Sequence, residues 1–117
     1  MRNDKKNLIV DLTFNFGLKI IAFSEGLREL KKYEMASQVF RSGTSIGANI
    51  REAQNAESKN DFIHKFKIAA KEADELEYWL QLCNESQFYL NPSKELFIEL
   101  KTIIKIISKI ISSSKNR

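Results

Sequence analysis

Histidine, cysteine, proline and tryptophan each occur once in these 117 residues, and glycine only four times. The lone cysteine, Cys83, excludes an intrachain disulfide and makes the cytoplasm the default compartment. One cysteine and one histidine cannot build a zinc site. A di-iron centre in a helical bundle needs two Glu-x-x-His pairs, and the chain offers only Asp61-x-x-His64. His64 falls opposite the apolar side of its segment, so a surface histidine is the simpler reading, and no metal or cofactor is expected. Without a second histidine or a nucleophile placed near the first, no Ser-His-Asp or Cys-His set can be assembled. Cys83 closes an apolar row and reads as a small buried hydrophobe. Few glycines and one proline leave too little turn chemistry for an all-β fold. No apolar run approaches the roughly 18 residues of a membrane span. The start, Met-Arg-Asn-Asp-Lys-Lys-Asn, lacks the apolar stretch and cleavage site of a signal peptide, so none is expected.

What the sequence does have is helical periodicity. Hydrophobic residues make up 43% and charged residues 29%, ordinary for one soluble domain over 1–117. Over 8–33, Ile9, Leu12, Phe16, Ile20, Phe23, Leu27 and Leu30 repeat on one face. A second helix is expected over 34–57. The third, over 60–85, opens with Ser58-Lys-Asn-Asp61, like a capping box with Asp in place of Glu. Phe62, Phe66, Ala69, Ala73, Leu76, Leu80 and Cys83 then alternate in steps of four and three, the seam of a bundle. The fourth, over 92–112, is read with Asn91 as N-cap and Pro92 in the first turn. Leu96, Leu100, Ile103, Ile107 and Ile110 form its seam, and the serine-rich tail after it is expected to fray. Short connections force neighbouring helices to run antiparallel. The expected fold is all-α: an antiparallel, up-down-up-down four-helix bundle.

The second helix is the unusual one. Between Arg41 and Gln54 it carries Gly43, Ser45, Gly47 and Asn49, all unfavourable in a helix interior. Gly43-x-x-x-Gly47 permits close approach of another helix. Gln38, Arg41, Ser45, Asn49 and Glu52 make a polar stripe beside the apolar one. On the third helix Glu77 falls among seam residues, and Glu75 on the side of Ile68, Trp79 and Leu82. A carboxylate on an apolar face requires a cation or several donors. Arg41, Ser45, Asn49, Glu52, Glu75 and Glu77 are therefore assigned to a polar network fixing the second helix against the third, with Arg41, Asn49 and Glu77 expected to be buried.

These residues carry a resemblance. Ser45-Ile-Gly-Ala-Asn-Ile-x-Glu-Ala-Gln54-x-Ala56-x-Ser58, Asp61-Phe62-x-x-Lys65 and Lys71-Glu-Ala-x-Glu75-x-x-Tyr78-Trp-Leu80 resemble the bacterial four helix bundle protein family, also called the 23S ribosomal RNA intervening-sequence protein family. The likeness spans about 38–82; the outer helices match in pattern only. Where many members read Ser-Ile-Pro-x-Asn-Ile-Ala-Glu-Gly, this chain has Gly47, Arg51 and Ala53. The resemblance implies a four-helix bundle assembling into a ring, commonly a homopentamer. The family takes its name from reading frames inside intervening sequences of ribosomal RNA genes, and its relatives include the accessory protein of diversity-generating retroelements. No catalytic residues are assigned in that family, so an enzyme is not expected.

Two surfaces complete the expectation. The net charge of +4 is concentrated at the ends: residues 1–33 carry +3 and residues 91–117 carry +4. Such asymmetry suits an acidic partner, RNA first, or a nucleic-acid-processing protein. Lys94, Lys101, Lys105 and Lys109 on the fourth helix, with Arg28 and Lys32 on the first, are the candidate contacts. Val10, Phe14, Leu18 and Ile21, and on the third helix Ile68, Trp79 and Leu82, form second apolar stripes that a monomer would leave exposed; they are the candidate oligomer interface. The competing reading is a structural or protein-interaction module whose lysines are only solvated.

Overall fold

A computed structural model describes residues 4–116. Its four helices are α1 (Asp4–Glu29), α2 (Tyr33–Ala53), α3 (Lys59–Glu85) and α4 (Lys94–Lys115). Each packs on the next and α4 returns against α1, closing the up-down-up-down antiparallel bundle within an envelope of 47 × 21 × 20 Å. The α1–α4 seam is the loosest of the four.

The four-three rows meet along the bundle axis. Ile9, Phe16, Ile20 and Leu27 of α1, Val39, Ile46 and Ile50 of α2, Phe66, Leu76 and Leu80 of α3, and Leu100, Ile103 and Ile107 of α4 are buried. Each such side chain contributes about 1.5–3 kcal/mol by leaving water. Phe62 stacks on Phe66 with ring centroids 4.6 Å apart. Leu12 and Phe23 are only half-buried, and Leu30 is exposed because it lies beyond the end of α1.

The helix ends differ from the sequence reading. α1 stops four residues short of 33. The Lys32 amide donates to the Leu27 carbonyl (2.9 Å) and the Lys31 amide to that of Arg28 (2.8 Å), with Lys31 left-handed at φ 62°. This is the paired-carbonyl termination usually built on glycine, here closed by a lysine. Ser58 caps α3, accepting from the Asp61 amide at 3.0 Å, while the Asp61 carboxylate accepts from the Glu57 amide at 3.3 Å. The cap of α4 is Ser93, which accepts from the Leu96 amide at 3.2 Å; Asn91 and Pro92 lie outside the helix. The helix continues into the serine-rich tail: Ser112, Ser113 and Ser114 are helical, and α4 runs to Lys115.

Candidate functional site

The polar stripe of α2 meets α3 along one edge of the bundle. The Arg41 guanidinium stands 2.7 Å from Glu75 Oε1 and 3.6 Å from Glu72 Oε1, and donates to Gln38 Oε1 at 3.0 Å. Further along, Lys65 Nζ lies 2.8 Å from Glu52 Oε1. The hydrogen bond to Glu52 and its charge push the Lys65 ammonium above its ordinary range, with burial acting the other way and Asp61 adding a little. Advancing from Arg41 to Glu52 on α2 corresponds to stepping back from Glu75 to Lys65 on α3, so the two pairs share one antiparallel register. Ser45 donates to the Arg41 carbonyl (2.6 Å) and Asn49 to the Ser45 carbonyl (2.9 Å), so both side chains serve their own helix.

This edge is not the buried network expected from the sequence. Arg41 is 53% exposed, and Glu77 is half-buried with no hydrogen bond or ion pair to Arg41 or Asn49. A flexible arginine reaches the rim and keeps its charge in water, which avoids the cost of desolvating both partners. Glu72, absent from the sequence-based set, supplies the second carboxylate. It precedes Glu75 by three residues, the spacing that puts both on one helix face.

The second apolar stripe of α1 borders an open groove of about 400 Å³ between α1 and α2. Val10, Phe14, Leu18 and Ile21 line one wall; Thr44, Gly47, Ala48 and Arg51 line the other. Phe14 is 59% exposed, Leu18 and Ile21 are exposed, and Val10 is half-buried. The groove exists because Gly47 and Ala48 put so little bulk opposite the α1 stripe. The α3 stripe behaves differently. Trp79 packs against the core of its own bundle, with its indole N–H buried and unpartnered, and Ile68 is half-buried. Tyr78 and Leu82 are the exposed members on that helix.

Lys94, Lys101, Lys105 and Lys109 are all exposed on α4, and among the described residues none of them forms an ion pair. The α1 cations are engaged locally: Arg28 lies 3.4 Å from Glu25, and Lys32 Nζ stands 5.8 Å from the Tyr89 ring centroid. Lys19 pairs with Glu99 across the α1–α4 seam. Cys83 is fully buried, and burial pushes its thiol up to about 11. His64 is exposed. Among the described residues no three His, Cys, Asp or Glu side chains gather as metal ligands, and no helix is long and apolar enough to cross a membrane.

Against known proteins, the sequence profile described as 23S rRNA-intervening sequence protein matches residues 5–113. The fold is similar to the crystal structure of a protein of unknown function from the S23 ribosomal protein family of Bacteroides thetaiotaomicron VPI-5482. The two are 40% identical with a TM-score of 0.84, over 92% of this chain and 98% of that one. No curated protein matches the chain.

Proposed function

We propose that this chain, which belongs to the 23S rRNA-intervening sequence protein family, is a non-enzymatic, oligomeric accessory protein that associates with RNA through the lysine stripe of α4. The observation that carries this reading is the set of four exposed lysines on α4 with no ion-pair partner among the described residues. Lys101, Lys105 and Lys109 recur every four residues, a rise of about 6 Å per step, so they can track successive phosphates. Contacts of this kind position a backbone and read little sequence. Arg28 and Lys32 are secondary, being held by Glu25 and Tyr89.

The oligomer is proposed to close through the groove lined by Val10, Phe14, Leu18 and Ile21, with five subunits taken from the family resemblance. Repetition of the lysine stripe around a closed ring multiplies weak contacts into useful avidity. The non-catalytic role follows the family resemblance, and the cytoplasm is the proposed location. A protein-interaction module that binds no nucleic acid is the second reading; the exposed α1–α2 groove favours it, because such a surface suits a protein partner.

Retention on immobilised RNA at about 50 mM salt separates the two. Changing Lys101, Lys105 and Lys109 together to Glu should abolish retention and leave helicity and oligomer mass unchanged. Wild-type protein that passes through unretained supports the interaction module instead.

A further inference from the structure

The α1–α2 and α3–α4 connections come together at one end of the bundle. A Cβ on Gly26 would stand 2.9 Å from Leu90 Cδ2, and Lys32 reaches over the Tyr89 ring. At this end two aromatic rings face water: Phe88 is 68% exposed and Tyr33 56% exposed. Phe88 is held out by a defined turn, its amide donating to Ser86 Oγ at 3.1 Å. Beside it is an open concavity of about 540 Å³ whose rim includes the amide side chains of Asn84, Gln87 and Asn91. The lysine stripe begins here as well, because Lys94 is the first residue of α4.

Charge divides the labour. Lys31 and Lys94 are exposed at this end, but so are Glu29, Glu34, Glu85 and Glu95, so the end is no cationic patch. Phosphate attraction belongs to the stripe farther along α4. What the end adds is exposed π faces and amides, the groups that hold unpaired bases by stacking and by hydrogen bonds to their edges. A protein-docking surface would be a continuous apolar patch; here the rings and the exposed leucines Leu30 and Leu90 are interspersed with charges of both signs.

We infer that the connection end is a stacking platform for single-stranded RNA, with unpaired bases on Phe88 and Tyr33 and the adjoining strand laid along Lys94, Lys101, Lys105 and Lys109. The inference rests on the RNA reading above and adds its strand preference. Base-paired RNA cannot offer free base faces to the rings, so the platform discriminates against duplex.

The test compares an unstructured oligouridylate of about ten nucleotides with a duplex of equal length, by fluorescence anisotropy at about 50 mM salt. Both rings are at the surface, so Phe88→Ala with Tyr33→Ala leaves the fold intact. The double change should weaken oligouridylate binding about tenfold, leave duplex binding unchanged, and leave the salt dependence as it was, since stacking releases no counterions. The triple lysine variant should instead lose binding to both probes alike. Unchanged oligouridylate affinity, or equal losses for both probes, overturns the platform while leaving the RNA reading in place. A fall in oligomer mass on the double change reassigns the rings to contacts between copies of the chain. If wild-type protein binds neither probe, the RNA reading fails and the platform with it.

Discussion

Gly43 of α2 lies against Ile20 of α1 with no room for a side chain: a Cβ there would stand 2.4 Å from Ile20 Cγ2. One turn on, Gly47 faces the Thr13 backbone, where a Cβ would stand 3.2 Å from the carbonyl oxygen. The glycines that weaken α2 as an isolated helix are what let it press onto α1.

Gly43→Ala should therefore destabilise the protein by about 1–3 kcal/mol, since the β-branched Ile20 is stiff and overpacking outweighs the gain in helix propensity. Gly17→Ala is the control. Within a single chain nothing lies within 4 Å of a Cβ at Gly17, so in the monomer, where the α1–α2 groove that Gly17 lines is open, alanine should stabilise by about 0.5–1 kcal/mol. Urea denaturation of the two variants should move in opposite directions; parallel shifts would mean that α1 and α2 are not in such close contact.

Arg41 and Glu77 should rank in the order their contacts give, and not the order the apolar pattern suggests. Arg41→Ala removes contacts to Glu72, Glu75 and Gln38; at its exposure the cost is about 1 kcal/mol or less. Glu77→Ala removes no ion pair among the described residues and should change stability by no more than about 0.5 kcal/mol. A loss of several kcal/mol for Glu77→Ala, read from chemical denaturation, would restore it to a buried network.

Phe14→Glu should convert the proposed oligomer to monomer with helicity preserved, because Phe14 touches water in the single chain and lines the α1–α2 groove. Light scattering with circular dichroism measures both. Trp79→Glu is a poor substitute, since it places a charge where the indole packs on the core and should unfold the chain as well. A monomeric mass for the unaltered protein at micromolar concentration removes the oligomer from the proposal.

Cys83 supplies a pH dependence with a definite sign. Burial raises its thiol from 9.0 to about 11. The folded state then holds the proton more tightly than the unfolded state does. The resulting stability is complete below pH 9 and is lost as the pH rises toward about 11. Relative to Cys83→Ala, which isolates the thiol from titrating lysines and tyrosines, the wild type should lose about 2–3 kcal/mol more across that range. Equal pH profiles for the two proteins would mean that the thiol ionises as readily in the folded state as in the unfolded chain.

The bundle was legible in the sequence because steps of four and three recur through every helix, and core packing enforces them. Helix ends were less so. The stop after Glu29 uses a left-handed Lys31, where the expected signal is glycine, and an Asn-Pro start is displaced by Ser93 two residues on. The polar edge was half legible: Arg41, Glu75 and Glu52 follow from spacing. Glu77 was misplaced because its neighbours on α3 are apolar, and a sequence pattern does not reveal how far a carboxylate can swing toward water. The exposed rings at Tyr33 and Phe88 left no signal, since an aromatic in a connection reads equally well as a plug or a platform.

Salt dependence of wild-type binding to single-stranded RNA probes the α4 stripe most directly. Three or four lysine–phosphate contacts per strand should give log Kobs falling against log salt concentration with a slope of about −2 to −3, and the triple change of Lys101, Lys105 and Lys109 to Glu should abolish it. A slope near zero, or no binding at about 50 mM salt, where electrostatic association is strongest, would contradict an RNA-binding role for this stripe.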